Sequence, residues 1–184
     1  MARIVDAARR IIRQGGIDAL SMRAIADELG VSGMAAYNHV ANKDTLIGLV
    51  AESVHSEWPP LELGDERWEV VLRRHLIAMC SSYRRYPGLG AYVSTHTDFA
   101  EGRASAMDAV RFLEAAGFSH DQAVLGWGLA HTYILGRMNV EHRLRQGGHR
   151  RETGEHTAAE YVAFAVDAII AGLSAMVVVD IQCK

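Results

Sequence analysis

Apolar residues recur at spacings of three and four through almost the whole chain, and they nowhere alternate over the length of a strand. That period puts them on one face of an α-helix and excludes a sheet protein. Ile4, Val5, Ala8, Ile11 and Ile12 form such a stripe on a first helix that Gly15 and Gly16 end. Ser21 is suited to cap a second helix, with Ile25, Ala26 and Leu29 inward, and Gly30 stops it. Ser32 caps a short third helix to about 39, and Asn42 a fourth from 43 to about 58. Pro59-Pro60 breaks the pattern, and the stretch to Gly64 reads as a linker. Trp68, Val71, Leu72, His75, Leu76, Met79 and Tyr83 trace a fifth helix that Pro87-Gly88 terminates. Residues 89–97 read as irregular. Helices are expected over about 98–116, 120–146 and 156–181, with a polar loop at 147–154. The fold class is all-α: a three-helix N-terminal domain over 1–50 and a larger helical domain over 51–184.

Composition narrows the function. Of 184 residues, 49% are hydrophobic and 22% charged, which suits one packed globular chain without long disorder. The two cysteines, Cys80 and Cys183, cannot build a secreted disulfide scaffold, and no export signal precedes the first helix. A reducing, cytoplasmic setting follows. The apolar stretch 168–179 contains Gly172 and Ser174 and is too short to span a bilayer, so no membrane partner is expected. A net charge of −3 argues against a protein coated in positive potential. Before Ser21, however, Arg3, Arg9, Arg10 and Arg13 face only Asp6 and Asp18, which places any nucleic-acid contact near the N-terminus. No Gly-rich phosphate loop, HExxH helix, GxSxG elbow or paired-cysteine spacing supports an enzyme. His142, His149 and His156 are seven apart across a glycine-broken loop, and neither a metal nor a cofactor is expected.

Residues 20–43, LSMRAIADELGVSGMAAYNHVANK, have the length and turn chemistry of a helix-turn-helix. Ala26 and Ala36 are small where two helices cross, and Ile25, Leu29 and Val31 supply the core between them. Ser21 and the helix start behind it form an anion site suited to a phosphate, and Lys43 repeats the arrangement. The run SMRAIADELGVS followed by AYNHVANKDTL resembles the signature of the TetR family of transcriptional repressors. RYPG, EAAGFS and YILGR further on resemble the ligand-binding domain of the tetracycline repressors. The resemblance implies that Ser21, Tyr37, His39 and Lys43 contact the phosphate backbone and that Arg23 reaches a guanine edge. It also implies that Gly33, Met34, Ala35 and Asn38 face the bases. Gly33, Met34 and Ala35 offer no side-chain hydrogen bond, so thymine-methyl contacts by Met34 and Ala35 are expected, with Arg23 and Asn38 giving the polar discrimination. Gly33 weakens its helix by roughly 1 kcal/mol relative to alanine.

One reading helix covers too few base pairs for useful specificity, so a homodimer on a palindromic, double-stranded DNA operator is expected. On the last helix Tyr161, Phe164, Ala165, Ala168, Gly172, Ala175 and Met176 share a stripe, and Val124, Leu135 and Met138 add a seam on the helix before it. Two such helices from each subunit would make a four-helix bundle. Polar groups on apolar faces mark a pocket for a small-molecule effector: His75, Met79, Tyr92, His96, Thr97, Trp127 and His131. In the resembling tetracycline repressors a histidine near His96 helps bind a magnesium–drug complex, but the rest of that metal site is not recognisable here. The effector is expected to move residues 89–97, lever the fourth helix and swing the two reading heads out of register. Coupling of about 1–3 kcal/mol would weaken operator binding roughly 5- to 150-fold. The competing reading is a helical ligand- or partner-binding module without sequence-specific DNA binding.

Overall fold

The computed structural model describes residues 1–32, 40, 42–95, 100–147 and 156–182, and these residues form eight α-helices and no strand. In the N-terminal part, α1 (Ala2–Gly15) packs on α2 (Met22–Leu29) and on α3 (Lys43–His55). Then come α4 (Trp68–Arg85), α5 (Leu89–Thr95), α6 (Ala100–Ala115), the long α7 (His120–Gln146) and α8 (Ala158–Gln182).

Local chemistry sets the ends of these helices. Ser21 Oγ accepts from Ala24 N–H at 3.1 Å, and Asn42 Oδ1 accepts from Thr45 N–H at 2.7 Å. Each satisfies a backbone donor that the first turn would otherwise leave unpaired. Gly30 adopts φ 65°, and the turn closes with Val31 N–H bonded to Ala26 O and Gly30 N–H to Asp27 O. That pair of bonds needs a left-handed residue, which glycine adopts without a Cβ clash. Ser119 and Gln122 form a reciprocal capping box at the start of α7, and Thr157 with Glu160 repeats it for α8.

One apolar core runs from Ile4, Ala8 and Ile12 of α1, through Leu46, Ile47 and Val50 of α3, to Val162, Val166 and Leu173 of α8. Each aliphatic side chain withdrawn from water contributes roughly 1.5–3 kcal/mol. α4 lies against α7 and α8, and α7 is also flanked by α5 and α6. The division at residue 50 falls inside α3, which is unbroken and belongs to both parts.

Three expectations change. Residues 89–95 are helical, not irregular: Tyr92 N–H bonds to Gly88 O, and Ser94 and Thr95 hydroxyls bond back to Ala91 O. Seven residues with a glycine and two small polar side chains are too few to show a period. α3 stops at His55, and residues 56–58 close it as a turn through Trp58 N–H to His55 O. Val31 sits outside the core, 44% exposed, because the glycine turn carries it away from α1.

Candidate nucleic-acid interface and ligand cavity

The first face of interest is the exposed edge where α2 and α3 begin. Ser21 Oγ is used as the cap acceptor, which leaves its O–H to donate outward. Arg23 extends into solvent with 92% of its side chain exposed, and its Nε lies 3.9 Å from the Asp27 carboxylate one turn on. An exposed pair of this length contributes little, so Arg23 is lightly held. Lys43 stands in the first turn of α3, half-buried. Between them Val40 is buried and anchors the chain to the core. Gly33, Met34, Ala35, Tyr37, Asn38 and His39, together with Ala36, lie outside the described residues.

The basic cluster of α1 is mostly engaged with the protein itself. Arg9 Nε and Arg13 Nη2 donate to the Tyr86 hydroxyl at 2.9 and 2.5 Å, and both guanidinium groups lie over its ring. Arg9 also donates to Ser53 Oγ at 2.8 Å and pairs with Glu57, while Arg10 pairs with Glu28 at 2.7 Å. Tyr86 is fully buried. Beside it Ile17 N–H bonds to Pro87 O at 2.9 Å, and Gln146 reaches Asp18 at 2.6 Å. Arg9 and Arg13 therefore fasten the first helix to the corner between α4 and α5, while Arg10 ties α1 to α2.

Farther along α3 opens a cavity of about 730 Å³, within the range of small-molecule sites. Glu52, His55 and Ser56 form one side, the linker from Trp58 to Leu63 another, and His75 with Ser105, Asp108, Arg111 and Phe112 of α6 the rest. Behind the wall lies a stack of rings. His55 and Trp58 are 4.2 Å apart by centroid, Trp58 meets His75 edge-on at 5.6 Å, and Trp127 stacks on His131 at 5.6 Å. His55 Nε2 and the Tyr83 hydroxyl are 3.1 Å apart, and His75 Nδ1 bonds to Pro59 O at 2.7 Å. Burial holds His55 down to about 4, helped by the neighbouring His131 and His75, and burial lowers His75 and His131 too. His55 Nδ1, Trp58 Nε1 and His75 Nε2 are buried with no hydrogen-bond partner among the described residues.

Two further helices present apolar groups to solvent. α8 exposes Phe164, 78% accessible, with Ala168, Gly172, Ala175 and Met176. α7 exposes Leu125, 73% accessible, together with Val124, Leu129 and Val140. Gly128, Gly136 and Gly172 have nothing within 4 Å of where a Cβ would stand, so this surface is open for close approach of another helix.

Residues 4–50 match the family described as bacterial regulatory proteins, tetR family. The HTH-type transcriptional repressor DrrR1 of Streptomyces coeruleorubidus is 36% identical over 88 residues, 47% of this chain and 33% of that protein. The tetracycline repressor protein class D of Escherichia coli is 27% identical over 161 residues, 85% of this chain and 67% of that one. The fold matches a TetR variant from Acinetobacter baumannii AYE in complex with minocycline, with a TM-score of 0.78 at 24% identity, over 94% of this chain and 95% of the other. Residues 4–50 are a TetR-family segment, and most of the chain is similar to that family's tetracycline repressors.

The expected sites are only partly brought together in the structure. His75 lines the cavity. Trp127 and His131 stand behind its wall, and Met79 is fully buried in the core. Tyr92 points to α3, its hydroxyl 3.2 Å from Asp44, away from the cavity. His96 and Thr97 lie outside the described residues. His55, Trp58 and the α6 wall were not anticipated, although a tryptophan leading into a double proline was a readable hint. Of the dimer set, Leu135 and Met138 are buried within their own chain, Met138 against Gly90 of α5. Tyr161 and Ala165 are half-buried, and the Tyr161 ring lies under Arg137. Leu125 and Leu129 take the outward positions instead. By length and composition alone, the segment Ala158–Met176 reaches what a membrane span needs, which the shorter stretch 168–179 did not suggest.

Proposed function

We propose that this TetR-family chain is a transcription regulator, acting as a repressor, that binds a palindromic operator as a homodimer and releases it when a small molecule fills the cavity. It works in the cytoplasm by binding, without catalysing a reaction. The DNA-reading part is residues 1–50 and the ligand-binding and dimerising part 51–184. Ser21, Tyr37, His39 and Lys43 take the phosphates, while Arg23, Gly33, Met34, Ala35 and Asn38 face the bases. DrrR1, a named repressor, and the minocycline complex of the TetR variant support the two halves of this reading.

The observation that carries it is the reach of α3. Its first residue, Lys43, stands at the reading edge, and its last turn supplies Glu52 and His55 to the cavity wall. The helix spans about 20 Å at 1.5 Å per residue. A ligand pressing on His55 therefore tilts the same rigid rod that positions Lys43, without an intermediary. α5 packs against α3 and supports the tilt, with Tyr92 bonded to Asp44. A ligand acts only to the extent that it prefers one of the two tilts.

Gel shifts against DNA flanking the chain's own gene, at fixed salt, test the reading. Arg23→Ala is expected to relax discrimination at one base pair by about 1–3 kcal/mol. Lys43→Ala is expected to weaken all sequences alike and reduce the salt slope by about one. Equal loss of specificity in both variants, or sequence-independent binding by the unaltered protein, would favour the module without operator recognition.

A further inference from the structure

The last turn of α3 meets different things on its two sides. Glu52, His55 and Ser56 line the cavity, whereas Ser53 and Glu57, roughly 100° round the helix, face α1. What they meet there is one guanidinium. Arg9 Nη1 donates to Ser53 Oγ at 2.8 Å, its Nη2 pairs with Glu57, and its Nε donates to the Tyr86 hydroxyl at 2.9 Å. The Arg9 side chain is only 15% exposed, so water competes weakly for these bonds. Its three acceptors stand on α3, on the turn that leads into the linker, and at the corner between α4 and α5. A guanidinium presents its donors in a rigid planar fork, so it cannot follow one acceptor without leaving another. A shift of the turn by about 1 Å would carry the Ser53 contact beyond the roughly 3.5 Å at which a hydrogen bond ends.

We infer that Arg9 is the positioning residue through which a filled cavity moves α1 and α2, and that without it α3 tilts while those two helices stay in place. The inference rests on reading the cavity as the effector site and residues 1–50 as the DNA-reading part. Lys43 lies on α3 itself, but Ser21 and Arg23 belong to the α2 side and have no such direct rod. Apolar packing between α1 and α3 is non-directional and tolerates a small slide, which the fork does not. Arg13 Nη2 holds the same Tyr86 hydroxyl at 2.5 Å, so a pull at Arg9 turns α1 about its C-terminal end instead of dislodging it. α2 follows α1. Ala8, Ile12 and Ile25 are buried in the core that the two helices share, and Arg10 pairs with Glu28 in the last turn of α2.

A covalent occupant tests this without knowledge of the effector. The full chain carrying Ser105→Cys and Cys183→Ala serves as the parent, alkylated with N-phenylmaleimide at the new thiol in the cavity wall, Cys80 being buried. Hydrogen exchange read by mass spectrometry should show the adduct changing amides at 52–58 and also in α1 and α2. Ser53→Ala with Glu57→Gln leaves Arg9 on Tyr86 and cuts only its link to the turn. In that double variant the response at 52–58 should remain and the response of α1 and α2 should be lost. A contact that only stabilises the fold would lower the urea midpoint and leave the spread unchanged. On a duplex recovered by selection, the adduct should weaken binding at least about 5-fold in the parent and at most about 2-fold in the double variant. Arg9→Met should match the double variant, which decides alone if Arg9→Met does not fold. A response that reaches α1 and α2 undiminished in the double variant, or an adduct that leaves them unchanged in the parent, overturns the inference. The exchange measurement needs no DNA, so the two readings fail separately. Spread through Arg9 without loss of operator binding counts against the regulator, and equal loss in parent and double variant counts against Arg9 alone.

Discussion

Tyr86 shows how much one hydroxyl can organise. It is fully buried, and guanidinium groups of Arg9 and Arg13 converge on its oxygen and its ring. Tyr86→Phe keeps the ring and removes the acceptor. The expected loss is about 1–3 kcal/mol, read as a lower urea midpoint with an unchanged m-value, because partly buried charged donors lose their partner. The histidines behind the cavity make a second prediction. His55 titrates near 4 in the folded chain against 6.5 ordinarily, so between those values the unfolded chain binds more protons than the folded one. Stability is therefore full above pH 6.5 and falls as pH drops toward 4, with lowered His75 and His131 adding the same sign. Denaturation midpoints at pH 7.5, 6 and 5 should decline in that order, and less steeply in His55→Phe. A midpoint that rises on acidification would contradict the assignment. Cys80, its thiol pushed up to about 12 by burial, should resist alkylation in the native protein at pH 8.

Among the elements, the corner between α4 and α5 is the place where the two parts of the chain are fastened. Gly88 holds φ 88°, and a Cβ there would stand 2.5 Å from Ile17 Cγ2. Gly88→Ala should cost about 1–3 kcal/mol in backbone strain alone, with a further loss from parting the corner from Ile17, seen as a lower Tm. Much of this layer was readable from residue patterns. Ser21, Gly30 and Asn42 mark their helix ends by chemistry that is local, and α7 runs over the expected 120–146. What escaped depends on distant partners. α5 is too short to show a period, and the cavity wall joins a linker, a helix end and α6, which are separated by some forty residues. The hold of Arg9 and Arg13 on Tyr86 was not readable, because that residue stands more than seventy positions away.

For the whole molecule, the proposed dimer would bury the apolar faces that α7 and α8 leave exposed. Leu135 and Met138 lie on a different side of α7 from Leu125 and Leu129, and the packing of α4, α5 and α8 decides which side is left outward. The double variant Leu129→Asp, Phe164→Asp touches side chains that face solvent in the single chain. It should sediment as a helical monomer where the unaltered protein sediments as a dimer, and it should lose operator affinity. The reading-head account is tested most directly by selecting bound sequences from a randomised duplex library at physiological salt. Two-fold related half-sites about 10 base pairs apart, centre to centre, are the expected outcome. A single unpaired half-site, or no enrichment over the starting pool, would contradict it.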